Sequence, residues 1–241
     1  MEFMILQNLE ELKSRIAGAA QRSGRHPEDV RLLAVTKTVS MDRIREAISS
    51  GQRLFGENYV QEAAKKLESL GDLYHETTWH FIGHLQRNKA KLAVQLFDCI
   101  ETVDNLKLAR ALDSHAKAAG KRLSVYIQVN VAQDPRKSGL SPEELPVFLT
   151  EAAELSGIDI CGLMTMPPWE PEPESLRPWF RALRDLRDEM NAGLGHSPGL
   201  RELSMGMSQD FETAIEEGAT VVRIGTALFG RRECSIGKRD V

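Results

Sequence analysis

Strand-like and helix-like segments alternate eight times along this chain, and that alternation restricts its fold more than any other feature. Ile5, Leu9, Leu12 and Ile16 recur at helical spacing and predict an opening amphipathic helix over about 4–24. Strands are predicted over 32–36, 53–56, 79–83, 98–103, 123–131 and 160–166, from Leu203 onward, and over 221–224. The first of them is followed by a helix with Ser40 as its N-cap, Ile44, Ala47 and Ile48 on one face, and Gly51 at its end. Further helices are predicted over 59–70, 89–96, 106–119, 142–155, 176–190 and 210–217. Strands alternating with helices imply parallel pairing through right-handed crossovers, and eight such units close into a barrel. The expected fold is therefore α/β, a single (β/α)8 TIM barrel with an extra N-terminal helix. It forms one domain over 1–241, with the barrel over about 31–230. An open doubly wound sheet is the alternative, weakened because no Gly-x-Gly-x-x-Gly separates the first strand from its helix. Pro167, Pro168, Pro171 and Pro173 read as one stiff loop rather than a domain linker.

A length of 241 residues suits one such barrel, and 41% hydrophobic with 27% charged residues is ordinary for a soluble globular protein. The net charge of −4 argues against a dedicated nucleic-acid binder, and no apolar run is long enough to cross a bilayer. The first twelve residues carry Glu2, Glu10 and Glu11 and no basic segment, unlike a secretory signal. Cys99, Cys161 and Cys234 are odd in number and lack metal-ligand spacing, which fits free thiols in a reducing cytoplasm and no metal.

Barrels of this type carry their chemistry at the C-terminal ends of the strands, often with a phosphate site after strands seven and eight. Lys37 closes the apolar run Leu32 to Thr36. Desolvation on one side disfavours an ammonium, which is what a Schiff-base lysine needs. The plainer alternative is a snorkelling lysine that only finishes a strand. After strand seven the segment Ser204-Met205-Gly206-Met207-Ser208 leads into a helix. Gly206 allows close backbone approach and Ser208 offers a hydroxyl near free amides, while Met164, Met166 and Met207 read as packing rather than chemistry, with Met207 kept as a cofactor-binding candidate. After strand eight, Gly225 and Thr226 can supply amides and a hydroxyl to the same anion, unless both segments are ordinary turns. Arg223 shares a strand face with Gly225, so it points into the barrel mouth. Its partner there is either a carboxylate or a heteroaromatic ring nitrogen.

Lysine, phosphate cup and inward arginine together suggest pyridoxal 5′-phosphate (PLP), with an aldimine on Lys37 and Arg223 facing a pyridine nitrogen that stays unprotonated. Asn58 can bond the cofactor's rim. His80 reads as a core histidine, and His84 follows a strand end, where function concentrates. Lys137 meets an anionic ligand or is a solvated loop charge.

The segments Ala34-Val35-Thr36-Lys37, Phe55-Gly56-Glu57-Asn58-Tyr59-Val60-Gln61-Glu62, Trp79-His80-Phe81-Ile82-Gly83-His84-Leu85-Gln86, Gly162-Leu163-Met164, Leu203 to Ser208 and Val222-Arg223-Ile224-Gly225-Thr226 resemble the YggS/PROSC family of PLP-binding homeostasis proteins. The likeness runs from about Leu32 to Gly230. It implies an alanine-racemase-like barrel in a cytosolic protein that stores, buffers or hands over PLP without established turnover. The resemblance puts PLP on Lys37, its phosphate on Ser208, Gly225 and Thr226, and its pyridine nitrogen on Arg223. It matches Lys137 to a basic loop position that helps PLP enter or leave, and it implies transient contact with PLP-requiring apo-enzymes. The tail departs from the family: Arg231, Arg232, Lys238 and Arg239 stand where members vary. A monomer is the default expectation.

A racemase is the competing function. Racemisation needs a base on each face of the substrate Cα, and related racemases take the second from a tyrosine of another domain. None of Tyr59, Tyr74 and Tyr126 is an obvious opposing base, and a one-sided site admits water, which favours exchange over carbanion chemistry. An aldolase-like lysine fits less well, because no carboxylate or tyrosine relay is evident near the first strand. The expectation is a non-catalytic carrier.

Overall fold

Period-two segments rich in apolar residues and the helices between them close into a barrel, in a computed structural model that describes residues 4–194 and 199–230. The strands are β1 (Arg31–Val35), β2 (Leu54–Glu57), β3 (Thr78–Phe81), β4 (Cys99–Val103), β5 (Leu123–Gln128), β6 (Ile158–Met164), β7 (Glu202–Met207) and β8 (Val221–Ile224). All neighbours pair in parallel, and β8 returns to β1 through Leu33 opposite Arg223. The helices are α1 (Met4–Arg22), α2 (Met41–Ser49), α3 (Val60–Leu70), α4 (Ala90–Leu96), α5 (Leu106–Ala118), α6 (Leu145–Ala152), α7 (Arg177–Leu194), α8 (Phe211–Glu216) and α9 (Thr226–Phe229). The expected (β/α)8 barrel with an added N-terminal helix is thus the fold. Helix α1 buries Ile5, Leu9, Leu12, Ile16, Ala19 and Ala20 and packs on α8 and α9.

The outward strand residues Phe55, Trp79, Phe81, Leu163 and Leu203 are buried beneath the helices. Phe55 and Trp79 stack with centroids 4.9 Å apart. The inside of the barrel is unusually polar. Glu101 on β4 and Ser204 on β7 are not on neighbouring strands, so their 2.6 Å hydrogen bond runs across the interior. Arg31 on β1 likewise reaches the Tyr126 hydroxyl on β5, at 3.3 Å, near the N-terminal mouth. Branched aliphatic side chains usually fill this space. Here Leu33, Ile82 and Val221 form only a small apolar cluster within it.

The largest departure from the sequence reading is at the seventh strand. Residues 204–207 were expected in a loop, but β7 runs through them to Met207. Gly206, at φ +90°, is what permits this: a Cβ there would lie 2.6 Å from the Ala214 Cβ of α8. A Ser/Gly-rich run resembles a turn in one dimension, whereas here glycine lets a helix pack against a strand. The fifth strand ends at Gln128, earlier than expected, with Val129 in an isolated bridge to Leu140. Cys99 and Cys161 are buried free thiols. Cys234 and the basic tail residues Arg231, Arg232, Lys238 and Arg239 lie outside the described residues.

Candidate functional site

A cavity of about 320 Å³ opens at the C-terminal ends of the strands, within the size range of small-molecule sites. Six of the eight strand ends contribute: Val35 and Lys37 at β1, Asn58 after β2, Ile82 after β3, Met166 to Glu170 after β6, and Met207 to Asp210 with Arg223, Gly225 and Thr226 around β7 and β8. Lys37, Asn58, Met207, Ser208, Arg223, Gly225 and Thr226, separated by up to 189 positions in the chain (226 − 37), therefore line one space.

At one end, the backbone N–H groups of Gly225 and Ala227 both donate to the Ser208 hydroxyl, each at 3.3 Å. These are at the long end of hydrogen-bond geometry. Two amides, a serine hydroxyl and the exposed Thr226 make a donor set suited to an anion. Asp210 braces the cup from behind, its Oδ1 accepting the Met207 N–H at 2.5 Å. Burial pushes the Asp210 carboxyl up, opposed by that hydrogen bond and by the Arg223 charge.

At the cavity floor, Arg223 is only 4% exposed. Its Nη1 donates to Ser204 Oγ at 2.7 Å and its Nη2 to the Thr165 carbonyl at 2.8 Å. Ser204 Oγ in turn donates to Glu101 Oε2, and Glu101 Oε1 pairs with His80 Nδ1 at 2.6 Å. Four strands thus contribute one continuous chain of polar side chains beneath the cavity. Burial raises the Glu101 carboxyl, but the hydrogen bond and charge of His80, the charge of Arg223 and the Ser204 hydroxyl outweigh it and hold the group below its ordinary value. Burial pulls the Arg223 guanidinium down against the charges of Glu101 and Asp210, yet an arginine stays cationic. Of the two partners foreseen for Arg223, the protein partner is a serine and a carbonyl, with the carboxylate one residue removed.

Lys37 is half-buried at the cavity wall, and Thr38 after it has φ +61°. Asn58 is held by close packing with Gly83, where a Cβ would collide with the Asn58 carbonyl. The Asn58 Oδ1 is buried without a hydrogen-bond partner among the described residues, an acceptor available to a ligand. His80 is buried, as a core histidine should be, but it belongs to the arginine-supporting chain. His84 is exposed and does not line the cavity. Lys137 is half-buried, and its Nζ donates to the Met166 carbonyl at 3.0 Å and to the Pro167 carbonyl. It ties the proline-rich rim, which carries the 74% exposed Trp169, to the loop after β5.

The sequence reading missed Asp210, which it treated as a helix start, and Glu101 and Ser204. A carboxylate within a strand otherwise made of Cys99, Ile100, Thr102 and Val103 was the available signal for Glu101.

The family described as alanine racemase, N-terminal domain, matches residues 7–233. A pyridoxal phosphate homeostasis protein of Aquifex aeolicus is 44% identical over 227 residues, 94% of this chain and 98% of the relative. The PipY structure of Synechococcus elongatus with PLP bound superposes with a TM-score of 0.82 at 39% identity, covering 94% of this chain and all of that one. An alanine racemase of Clostridium difficile shares the fold at a TM-score of 0.68 and 15% identity, with 58% of its length covered.

Proposed function

Because this chain belongs to the family of pyridoxal phosphate homeostasis proteins, built on the barrel of the alanine racemase N-terminal domain, we propose that it binds PLP and serves as its holder inside the cell. The observation that carries this reading is the meeting of Lys37, the Ser208–Gly225–Ala227 cup and Arg223 in one cavity. The donor set fits the group: amides and hydroxyls for a phosphate, an unpartnered Asn58 oxygen for a rim hydroxyl, and an amine for an aldehyde. PLP supplies a reactive aldehyde and, once linked to an amine, an electron sink.

Each side chain has a distinct task. Lys37 would supply the amine to the aldehyde of bound PLP and so strengthen its retention. Ser208, Thr226 and the Gly225 amide hold the phosphate. Arg223, fixed by Ser204 and Thr165, presents a cation that cannot give its proton to the pyridine nitrogen, which weakens the ring as an electron sink. Asn58 orients the ring edge, and Met207 packs at the rim.

The lack of a tyrosine in the cavity lining among the described residues supports holding over turnover. None of the three tyrosines lines the cavity. Tyr126 is buried within the barrel, and Tyr74 donates its hydroxyl to the Leu96 carbonyl. Tyr59 is exposed beyond Asn58. Among the described residues, then, no tyrosine lines the cavity to serve as the second base that related racemases use. Handover to PLP-requiring apo-enzymes, as a monomer in the cytoplasm, completes the proposal; no described helix is long and apolar enough to cross a membrane.

Ser208→Ala combined with Thr226→Val tests the phosphate assignment. Removing two hydroxyl contacts to a charged group should cost about 2–5 kcal/mol of binding, a loss of roughly 30-fold or more in PLP retained after dialysis. Unchanged retention would move the phosphate elsewhere.

A further inference from the structure

Behind the cavity, on the helix side of the sheet, three charged residues meet where none is needed for packing. Lys66 of α3 is only 9% exposed and Glu57 at the end of β2 is fully buried. The Lys66 ammonium donates to Glu57 Oε1 at 2.7 Å, pairs with Glu62 Oε1 at 2.6 Å, and donates to the Thr36 carbonyl at 2.6 Å. Glu57 Oε1 also accepts the Thr36 hydroxyl at 2.6 Å, and Glu62 Oε1 accepts the Thr38 N–H at 2.9 Å. The contacts therefore fall on the two residues that flank Lys37, one on each side. Thr38 is held at φ +61°, a conformation that a β-branched residue adopts only under external constraint.

We propose that Glu57, Lys66 and Glu62 form a clamp that positions Lys37: Lys66 fixes the carbonyl before it, and Glu62 fixes the amide after it in a left-handed turn. The clamp sets the direction in which the lysine leaves the backbone without touching any ligand. These are positioning residues, and the proposal rests on the reading that Lys37 is the PLP-linked lysine.

A buried ion cluster can also be merely structural, so stability alone does not separate the two roles. Glu62 gives the decisive variants because it is partly exposed and its loss leaves Lys66 paired with Glu57. Glu62→Ala removes the acceptor for Thr38. Glu62→Gln removes the charge but keeps an acceptor oxygen. In the full chain without PLP, Thr38 amide exchange should speed up about tenfold or more in Glu62→Ala, as for loss of one hydrogen bond to a charged acceptor. Exchange at Ile100 and Leu163 should stay at the wild-type rate. With PLP added, the near-visible absorbance should show linkage weakened about tenfold in Glu62→Ala and largely restored in Glu62→Gln. Wild-type Thr38 exchange in Glu62→Ala, or linkage equal to wild type, overturns the clamp. A Glu62→Gln variant as impaired as Glu62→Ala overturns it too, because the effect is then one of charge near Lys37. Failure of the wild type to link PLP overturns the proposed function instead, and the exchange measurement still decides the clamp.

Discussion

Glu101→Leu is expected to lower the stability of the barrel by about 3–5 kcal/mol, the cost of leaving buried charged partners uncompensated. Glu101 is wholly buried and receives hydrogen bonds from His80 and Ser204, while Ser204 also accepts from Arg223. Without the carboxylate, Arg223 keeps its charge in a low-dielectric interior with a hydroxyl and a carbonyl as hydrogen-bond partners and only the Asp210 charge left to offset it. For a chain of this length the loss corresponds to a fall in Tm on the order of 10 °C. The pH dependence gives an independent check. The folded carboxyl lies below its ordinary value, so its contribution is present above the unfolded pKa of about 4.3 and is lost as pH falls through the lower folded value. Wild type should therefore lose stability below about pH 4 more steeply than Glu101→Leu. Thermal melts over a pH series test both points. A variant within 1 kcal/mol of wild type, with an unchanged acid limb, would mean that the network carries no net electrostatic stabilisation.

Lys37→Ala should remove covalent PLP while sparing the fold. The Lys37 side chain is half-exposed and makes no hydrogen bond within the described structure, so its truncation leaves no buried group unsatisfied. Stability should stay within about 0.5 kcal/mol of wild type. The phosphate cup and Arg223 remain, so PLP should still bind weakly and wash out on gel filtration, with retention falling at least about 100-fold as a bond is replaced by contacts alone. Circular dichroism and borohydride trapping are the two readings. A variant that still carries trapped PLP after reduction would place the link on another lysine.

Much of this site is legible in the chain because it follows local rules. Strand β8 spans the predicted segment Val221–Ile224, and a lysine at a strand end, with Gly and Ser after the last two strands, falls where barrels bind phosphates. What is not legible depends on distant partners. Ser204 and Glu101 are 103 positions apart, and nothing in either segment announces the other. The glycine that lets β7 continue past Ser204 looks like a turn until α8 is seen to pack on it. Lys137 is a charged loop residue in sequence; only the fold brings it to carbonyls 29 and 30 positions away. Glu57 ends β2 and Glu62 and Lys66 belong to α3, and only the packing of the two elements brings them onto the backbone around Lys37. Local pattern thus identifies groups that line the cavity, and tertiary structure supplies the groups that hold them.

The central claim is that Lys37 is the residue that carries PLP. The most direct test is to load the wild-type protein with PLP, record the near-visible absorbance, reduce with borohydride and map the modified peptide. A near-visible band and a single adduct on the peptide containing Lys37 is the predicted result. A colourless protein with no adduct, or an adduct confined to Lys66, Lys137 or another lysine, would contradict it.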